Sequence, residues 1–307
     1  MTCWTDYIWQ EGRDICSSGP ACSSGPAAEG QALGHCRLAF CASTGRTATM
    51  CLATTLNSLP GVVALHEGHA PGASPVPRLP LINLQNCKAW HEPAYAQLTV
   101  EKLRDSATLS KTAGDADMLI DVAFYNAPLL VPLARQHPGS ILFVIFRRCE
   151  GFVRSATIVS GEDRQPAGWP DRSKPLTNRE KFIALGRLRP KPGSEEAERW
   201  PVWSAIQRNI WLWSSVNSHL LCFAKSHPNC HKLLYEDLVE NPNRFWTGFL
   251  RELGLFSELN LTRCMDSSAK KLNQRASYQV GRIDRWGYAD LALYERLAIP
   301  LENEIYD

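Results

Sequence analysis

The stretch RLAFCASTGRTATMCLATTLNSLPGVVALHEGH, residues 37–69, decides the fold class of this chain. Its apolar start, residues 38–41, predicts a buried strand, and a loop of small residues follows it. Residues 50–59 are compatible with a helix that a Pro-Gly pair stops, and residues 62–65 predict a second strand. Strand, small-residue loop, helix and strand in this order are the layout of an α/β protein with a phosphate-binding loop.

The loop of residues 42–49 has the properties of an anion site. Its small side chains let backbone N–H groups point toward an anion, and the N-terminus of the following helix adds about half a positive charge. Arg46 adds a full charge. The loop lacks the Gly-Lys-Ser/Thr sequence of nucleotide triphosphatases, so ATP hydrolysis is disfavoured. An ordinary strand-to-helix turn is the alternative interpretation at this point.

The composition is that of one large α/β domain or two small ones. The chain has 307 residues, 44% hydrophobic and 21% charged, with a formal net charge of +2, which excludes a disordered chain and a polycationic nucleic-acid coat. No apolar run approaches the ~18 residues of a membrane span, and the N-terminus lacks a secretory pattern. The 11 cysteines include no CxxC pair, so we expect reduced thiols and no metal site. We therefore expect a cytoplasmic protein that binds neither nucleic acid nor membrane.

Strands alternate with helices along the rest of the chain. Residues 140–146, SILFVIF, form the clearest buried strand, which ends at Arg147. Such alternation predicts a parallel β-sheet flanked by helices, with ligands bound at the carboxyl ends of the strands. Glu67 and Tyr235 also follow predicted strands. We therefore expect them to converge with Arg46 and Arg147.

Two other segments complete the predicted organisation. Residues 1–36 contain the small-residue and proline stretch CSSGPACSSGPAAEG, which predicts a flexible or partly docked N-terminal segment. Residues 195–223 have the pattern of one long helix rich in tryptophan. Those tryptophans are interpreted either as helix packing or as part of a site for a flat or anionic acceptor.

Three further motifs follow the phosphate loop. Arg147 ends a strand, and Ser155 lies eight residues later. Residues 235–238 read Tyr-Glu-Asp-Leu, and an Asn-Pro pair follows them. A basic segment, residues 280–286, ends in Trp. In this order the four motifs resemble those of the sulfotransferases that use 3′-phosphoadenosine 5′-phosphosulfate (PAPS), over about residues 37–307.

The resemblance implies a P-loop-like sulfotransferase fold, a PAPS donor and 3′-phosphoadenosine 5′-phosphate (PAP) as product. The phosphate loop would bind the 5′-phosphosulfate, whereas Arg147 and Ser155 would clamp the 3′-phosphate. Tyr235 would lie at the adenine. Arg282 and Arg285 would belong to the loop that closes over the nucleotide. The residues assigned to the phosphate loop are Ser43, Thr44, Gly45, Arg46, Thr47, Ala48 and Thr49.

The resemblance also implies a catalytic base. The protein-tyrosine sulfotransferases of this family use a Glu at the end of the strand after the phosphate-loop helix, and Glu67 falls on that position without a gap. His66 and His69 are the alternatives, because an imidazole titrates near neutral pH. Arg46 would hold the bridging and sulfonate oxygens of the donor.

The sequence departs from the family pattern at three places. Ala48 stands where the family usually has Gly, and Met50 stands where it usually has Thr. Many members carry a lysine at the end of the strand before the Arg147 strand, but residues 120–122 read Ile-Asp-Val here. Arg285 or a basic residue of the 172–191 segment would then have to neutralise the leaving group.

The expected function is transfer of the sulfuryl group from PAPS to a hydroxyl or amine of a small-molecule acceptor. Residues 37–307 would form a single sulfotransferase domain that needs no metal, with a homodimer as a possible assembly. Two alternatives stay open. One is a P-loop-like nucleotide kinase, which would need a lysine in the loop, and the other is a non-catalytic nucleotide-binding protein on the same fold.

Overall fold

A five-stranded parallel β-sheet forms the centre of the structure, as the sequence predicts. The structure is a computed structural model that describes residues 36–71, 79, 86–157, 159–160, 165–166, 187–269 and 280–307. The predicted N-terminal segment, residues 1–36, lies almost entirely outside the described residues. The strands are β1 (Arg37–Ser43), β2 (Val62–His66), β3 (Met118–Val122), β4 (Ile141–Phe146), β5 (Val159–Ser160), β6 (Gln165–Pro166) and β7 (Cys230–Leu234). The strands of the sheet lie in the order β2-β3-β1-β4-β7, and β5 and β6 form a separate antiparallel pair.

Helices cover both faces of the sheet, which confirms the expected α/β class. The α-helices are α1 (Thr49–Leu56), α2 (Asn86–His91), α3 (Pro93–Leu103), α4 (Ser106–Ala113), α5 (Leu130–Gln136), α6 (Cys149–Ala156), α7 (Glu195–Arg199), α8 (Ala205–Ser226), α9 (Tyr235–Glu240), α10 (Pro242–Glu252), α11 (Glu258–Ala269) and α12 (Tyr288–Tyr306). Two 3₁₀ turns, Phe124–Leu129 and Ile283–Arg285, complete the regular structure. None of the helices in the described part of the chain has the length and apolar character needed to cross a membrane.

The central strand β1 is buried on both of its faces. Leu38 and Phe40 belong to the apolar cluster that includes residues of α8 and α12. Ala39 and Cys41 point the other way, into the cluster formed with α1 and α10. Because helices cover both sides, the strand is a continuous apolar run instead of an alternating one.

The strand order fixes where a ligand can bind. After β1, the chain forms β2 and β3 on one side of it, and then β4 and β7 on the other side. In open α/β sheets a crevice forms at the carboxyl ends of the strands where the order reverses, and here that point lies between β1 and β4. Ser43 pairs with Ile145 in register, so the loops after β1 and β4 begin side by side.

The single long helix predicted for residues 195–223 is wrong. The structure has two helices, α7 and α8, separated by residues 200–204. Pro201 lies in the break, and Ser204 starts the second helix with a capping box. Ser204 Oγ accepts a hydrogen bond from Gln207 N at 3.0 Å, and Gln207 Oε1 accepts one from Ser204 N at 2.9 Å. This reciprocal cap starts a new helix inside an otherwise helical pattern.

An ion pair is buried at the end of β3. Arg104 Nε donates to Asp121 Oδ2 at 3.1 Å, and the two side chains are 0% and 1% exposed. Arg104 Nη2 also donates to Tyr125 Oη at 3.4 Å. Asp121 and Val122, both buried, occupy the strand end where the resemblance expects a lysine. The end of β3 therefore faces the protein interior with a carboxylate and an apolar side chain.

We predict that the Asp121→Ala variant lowers the free energy of unfolding by about 3–5 kcal/mol, because it leaves the Arg104 guanidinium buried without its carboxylate. Urea unfolding followed by circular dichroism measures the change. The paired replacement of Arg104 by Met and Asp121 by Leu removes both charges and should recover most of the loss. A loss below about 1 kcal/mol for Asp121→Ala would show that the pair does not support the fold.

Candidate active site

The loop between β1 and α1 uses backbone conformations that most residues avoid. Gly45, Arg46 and Ala48 have φ angles of 79°, 60° and 60°. Gly45 N donates to Ser43 Oγ at 3.0 Å, and Thr44 Oγ1 donates to Gly45 O at 3.3 Å. When left-handed and right-handed backbone conformations alternate, successive N–H groups point into a common concavity that binds anions. The local geometry is thus that of an anion-binding loop.

The second half of this loop shows why glycine would suit position 48, where this chain has alanine. Ala48 is the N-cap of α1, and its left-handed backbone is the conformation that glycine adopts without strain. Thr47 is fully buried, and its Oγ1 has no hydrogen-bond partner among the described residues. Thr49 begins α1 and is also buried. A buried hydroxyl without a partner inside such a loop fits an oxygen of a bound anion.

Two arginines meet in the crevice between β1 and β4. Arg147 Nη1 donates to the backbone oxygen of Arg46 at 2.5 Å, and Arg46 Nε donates to Ser155 Oγ at 3.0 Å. Arg147 is 7% exposed, and its Nε is buried without a hydrogen-bond partner among the described residues. The sequence predicts two anion sites at opposite ends of a nucleotide, and the structure joins the arginines of both sites in one hydrogen-bonded network.

The surroundings of Arg147 stack on its side chain, bind its backbone and leave room for its guanidinium. Its guanidinium carbon lies 4.1 Å from the centre of the Tyr235 ring. Trp213 Nε1 donates to the Arg147 backbone oxygen at 2.7 Å. A Cβ atom at Gly151 would lie 3.0 Å from Arg147 Nε, so the glycine leaves the room that the guanidinium occupies. A charged group fixed in this way needs little rearrangement to bind an anion.

A cavity of about 410 Å³ opens beside Arg147. It contains the predicted closing-loop residue Arg282, whose Nε lies 3.8 Å from Glu150 Oε1. Its mixed positive and negative lining suits a polar ligand that carries both phosphate and hydrogen-bonding groups. The lining residues are Arg147, Arg148, Glu150, Gly151, Arg154, Tyr235, Glu236, Arg282, Tyr294 and Glu302.

Carboxylates from two other helices cap the N-terminus of α6. Glu302 Oε1, on α12, accepts a hydrogen bond from Cys149 N at 2.6 Å. Glu236 Oε1, on α9, accepts one from Arg148 N at 3.0 Å, and Tyr306 Oη donates to Glu236 Oε2 at 2.7 Å. The sequence analysis misses Glu302 and Tyr306, because no local pattern indicates contacts between residues 153 and 70 positions apart.

The candidate base lies beyond the end of β2. Glu67 has a φ of 50°, and its Oε1 lies 4.0 Å from His66 Nε2. Burial raises the pKa of Glu67, while the charge of Arg46 opposes that rise. Burial and the neighbouring His69 lower the pKa of His66 to about 4, so His66 is neutral near pH 7. His69 is exposed, and its ring centre is 6.1 Å from that of His66.

Arg285 is placed differently from the other predicted residues. Its side chain is exposed and packs against Gly281, where a Cβ atom would lie 3.0 Å from Arg285 Cδ. Residues 172–186 lie outside the described residues. Arg187 is described, and burial together with the charge of Arg46 lowers its pKa to about 10. The charge of Arg46 therefore acts on Arg187, whereas the role of Arg285 stays a prediction.

Cys41 and Cys149 are thiols buried in the protein, and burial raises the pKa of both. Within the described ranges, no group of three His, Cys, Asp or Glu side chains is arranged to hold a metal ion. The expectation of a metal-free site stays a prediction.

The comparisons with known proteins give structural matches alone. No family model matches the sequence, and no curated protein matches it. The sulfotransferase STF9 from Mycobacterium avium matches with a TM-score of 0.50 and 11% identity, covering 97% of this chain and 80% of that chain. A mouse sulfotransferase complexed with PAP (TM-score 0.48, 10% identity, 88% of each chain) and STF1 from Mycobacterium tuberculosis (0.45, 15%, 87% of this chain and 77% of that chain) are also similar. The match to STF9 shows that this chain has the fold of a sulfotransferase, as the resemblance implies.

We predict that the Ala48→Gly variant raises the free energy of unfolding by about 0.5–1 kcal/mol, because glycine relieves the left-handed strain but adds entropy to the unfolded chain. Urea unfolding measures the change. Ala53→Gly, in the middle of α1, is the matched control and should lower the free energy of unfolding by about 1 kcal/mol. Destabilisation by both variants would contradict the strained loop.

Proposed function

We propose that this chain is a PAPS-dependent sulfotransferase that transfers the sulfuryl group to a hydroxyl or amine of a small-molecule acceptor. The proposal is supported by the shared fold and, above all, by one observation. The anion-binding loop after β1 and the arginine after β4 meet at the strand-order reversal, where Arg147 Nη1 binds Arg46 O at 2.5 Å. A ligand with anionic groups at two positions fits such a crevice.

The phosphate loop and Arg147 would bind different groups of the donor. Arg46 and the N–H groups of its loop would hold the 5′-phosphosulfate, and the buried Thr47 hydroxyl is available to the same group. Arg147, through its planar guanidinium, would bind the 3′-phosphate together with Ser155. Both side chains already touch Arg46, so binding would exchange these internal hydrogen bonds for bonds to the donor. Tyr235, stacked on Arg147, would border the adenine.

The transfer reaction requires stabilisation of the developing negative charge and one proton transfer. Sulfuryl transfer resembles phosphoryl transfer, in which negative charge spreads over three equatorial oxygens during an in-line displacement. Arg46 would stabilise that charge from the loop. Glu67 would accept the proton of the acceptor, because it is a partly buried carboxylate within the field of Arg46.

Ligand selectivity distinguishes this proposal from the two alternatives. A nucleotide kinase would bind ATP, which has no 3′-phosphate for Arg147. We expect PAP to raise the melting temperature of the protein and ATP to leave it nearly unchanged, since a ligand stabilises the state that binds it. Labelled PAPS incubated with the protein and a panel of phenols, alcohols and amines then reports transfer. Stabilisation by ATP alone would favour a kinase, and PAP binding with no transfer to any acceptor would favour a binding protein.

We predict that Arg147→Ala weakens PAP binding about 10- to 100-fold, because a charge-assisted contact to the 3′-phosphate is lost. Binding of 5′-AMP, which lacks that phosphate, should change little. Isothermal titration calorimetry measures both affinities. Arg135→Ala removes an exposed arginine at the end of α5 and serves as the control. Equal losses for PAP and 5′-AMP would contradict the assignment of Arg147 to the 3′-phosphate.

We predict that Glu67→Gln keeps the affinity for PAP and lowers the transfer rate about 10²- to 10⁴-fold, because the amide cannot accept the proton. In the unchanged protein Glu67 must be ionised, and burial raises its pKa. The rate should therefore fall on acidification at a higher pH than for an ordinary carboxylate. A pH–rate profile measures this, with the exposed Glu240→Gln as control. A normal rate in Glu67→Gln would point to His66 or His69 as the base.

A further inference from the structure

The proposed transfer needs more positive charge at the sulfuryl end than Arg46 supplies. Charge develops on the sulfonate oxygens and on the oxygen that leaves with the 5′-phosphate, and fixed cations at these atoms lower the barrier. The neighbouring strand end cannot provide one, because Asp121 and Val122 are buried and the Asp121 carboxylate is bound by Arg104. A second cation must come from the other wall of the crevice.

Arg187 lies on that wall. Its Nη1 donates to Asn209 Oδ1 at 3.4 Å, and Asn209 Nδ2 donates to Thr157 Oγ1 at 2.8 Å. Thr157 is the C-cap of α6, two residues beyond Ser155. Because Ser155 accepts the hydrogen bond from Arg46 Nε, the same end of α6 anchors both arginines.

The two residues that follow Arg187 are each fixed by a contact with another part of the protein. Leu188 is 3% exposed and belongs to the apolar cluster of α8 and α12. His91 Nε2 and the backbone oxygen of Arg189 are 2.9 Å apart, within hydrogen-bond distance, which ties the segment to α2. The backbone next to Arg187 is therefore fixed, and Asn209 binds its guanidinium, so the charge is largely preorganised.

The charge of Arg46 influences two neighbouring ionisable groups. Burial lowers the pKa of Arg187, and the charge of Arg46 contributes to that lowering. The charge of Arg46 also opposes the rise in the pKa of Glu67, on the acceptor side. An anion bound by Arg46 and Arg187 would balance the charge of both.

We propose that Arg187 is a second catalytic cation, which contacts the 5′-phosphosulfate together with Arg46. This inference rests on the proposed function. In the step, the acceptor oxygen or nitrogen forms a bond to sulfur, and the bond from sulfur to the bridging oxygen breaks. The electron pair stays on that oxygen, which leaves in PAP, and the acceptor proton goes to Glu67. Arg187 and Arg46 balance the charge on the departing oxygen.

Ligands that lack the 5′ group test this without any acceptor. Arg187→Ala should weaken binding of PAP about 10- to 100-fold and leave adenosine 3′-phosphate within about twofold. Arg147→Ala should weaken binding of both. Isothermal titration calorimetry on the full chain measures the affinities. Arg187→Lys should recover part of the lost affinity, and it replaces the alanine variant if that one does not fold.

The outcomes separate this inference from the proposed function. Arg135→Ala, which removes an exposed arginine at the end of α5, is the control and should bind PAP as the unchanged protein does. Equal losses for PAP and adenosine 3′-phosphate in Arg187→Ala, or no loss, would overturn the role of Arg187. A loss specific to the 5′ group in Arg285→Ala instead would assign the role to Arg285. Failure of the unchanged protein to bind PAP would overturn the proposed function itself.

Turnover gives a second readout. With labelled PAPS and an acceptor found in the panel, Arg187→Ala should lower kcat about 10²- to 10³-fold, the range seen when one preorganised donor to a developing charge is removed. The KM of the acceptor should change much less. A rise in acceptor KM with an unchanged kcat would show that Arg187 binds the acceptor and does not act on the leaving group.

Discussion

The hydrogen bond from Arg147 Nη1 to the backbone oxygen of Arg46 is the contact that the whole crevice is built around. It exists because β1 and β4 are parallel neighbours in register, so their two loops leave the sheet at the same edge. The strand order then carries the chain to opposite sides of β1 and leaves that edge uncovered. Sheet topology thus creates a place where backbone N–H groups and guanidinium groups can act on one ligand.

The charged side chains around this contact form two groups. The charge of Arg46 acts on the ionisation of both Glu67 and Arg187, whereas Arg147 and Arg282 line the cavity with the carboxylates of Glu236 and Glu302. The two carboxylates bind the N-terminal N–H groups of α6, so α6 presents fewer free donors to a ligand. Arginine side chains must therefore do most of the anion binding at that end, where helix termini often contribute.

Sequence patterns predict the sheet better than they predict the walls of the site. Continuous apolar runs identify β1 and β4, because strands covered on both faces have no other pattern. The same strands deliver Arg46 and Arg147, and Ser155 follows from the fixed spacing on α6. Arg46, Arg147 and Ser155 are therefore identified from the sequence, whereas their roles stay predictions.

The sequence analysis missed one local capping signal and two contacts between residues distant in sequence. The break between α7 and α8 results from the capping box at Ser204, which outweighs the apolar period around it. The burial of Asp121 depends on Arg104 from another element, and the position of Arg187 depends on Asn209 and Leu188. Arg104 and Asp121 are 17 residues apart and Arg187 and Asn209 are 22 apart, so no local pattern indicates these contacts. The role predicted for Arg285, which packs on Gly281, stays a prediction.

The capping of α6 by α12 has a consequence for how the protein is made. Synthesis proceeds from the N-terminus, so the residues of the sheet and of the phosphate loop leave the ribosome before those of α12. The wall beside Arg147 is complete only when Glu302 and Tyr306 have emerged and docked. Until then, Cys149 N lacks the carboxylate that accepts its hydrogen bond. A nascent chain should thus acquire its finished ligand cavity only after α12 has been synthesised.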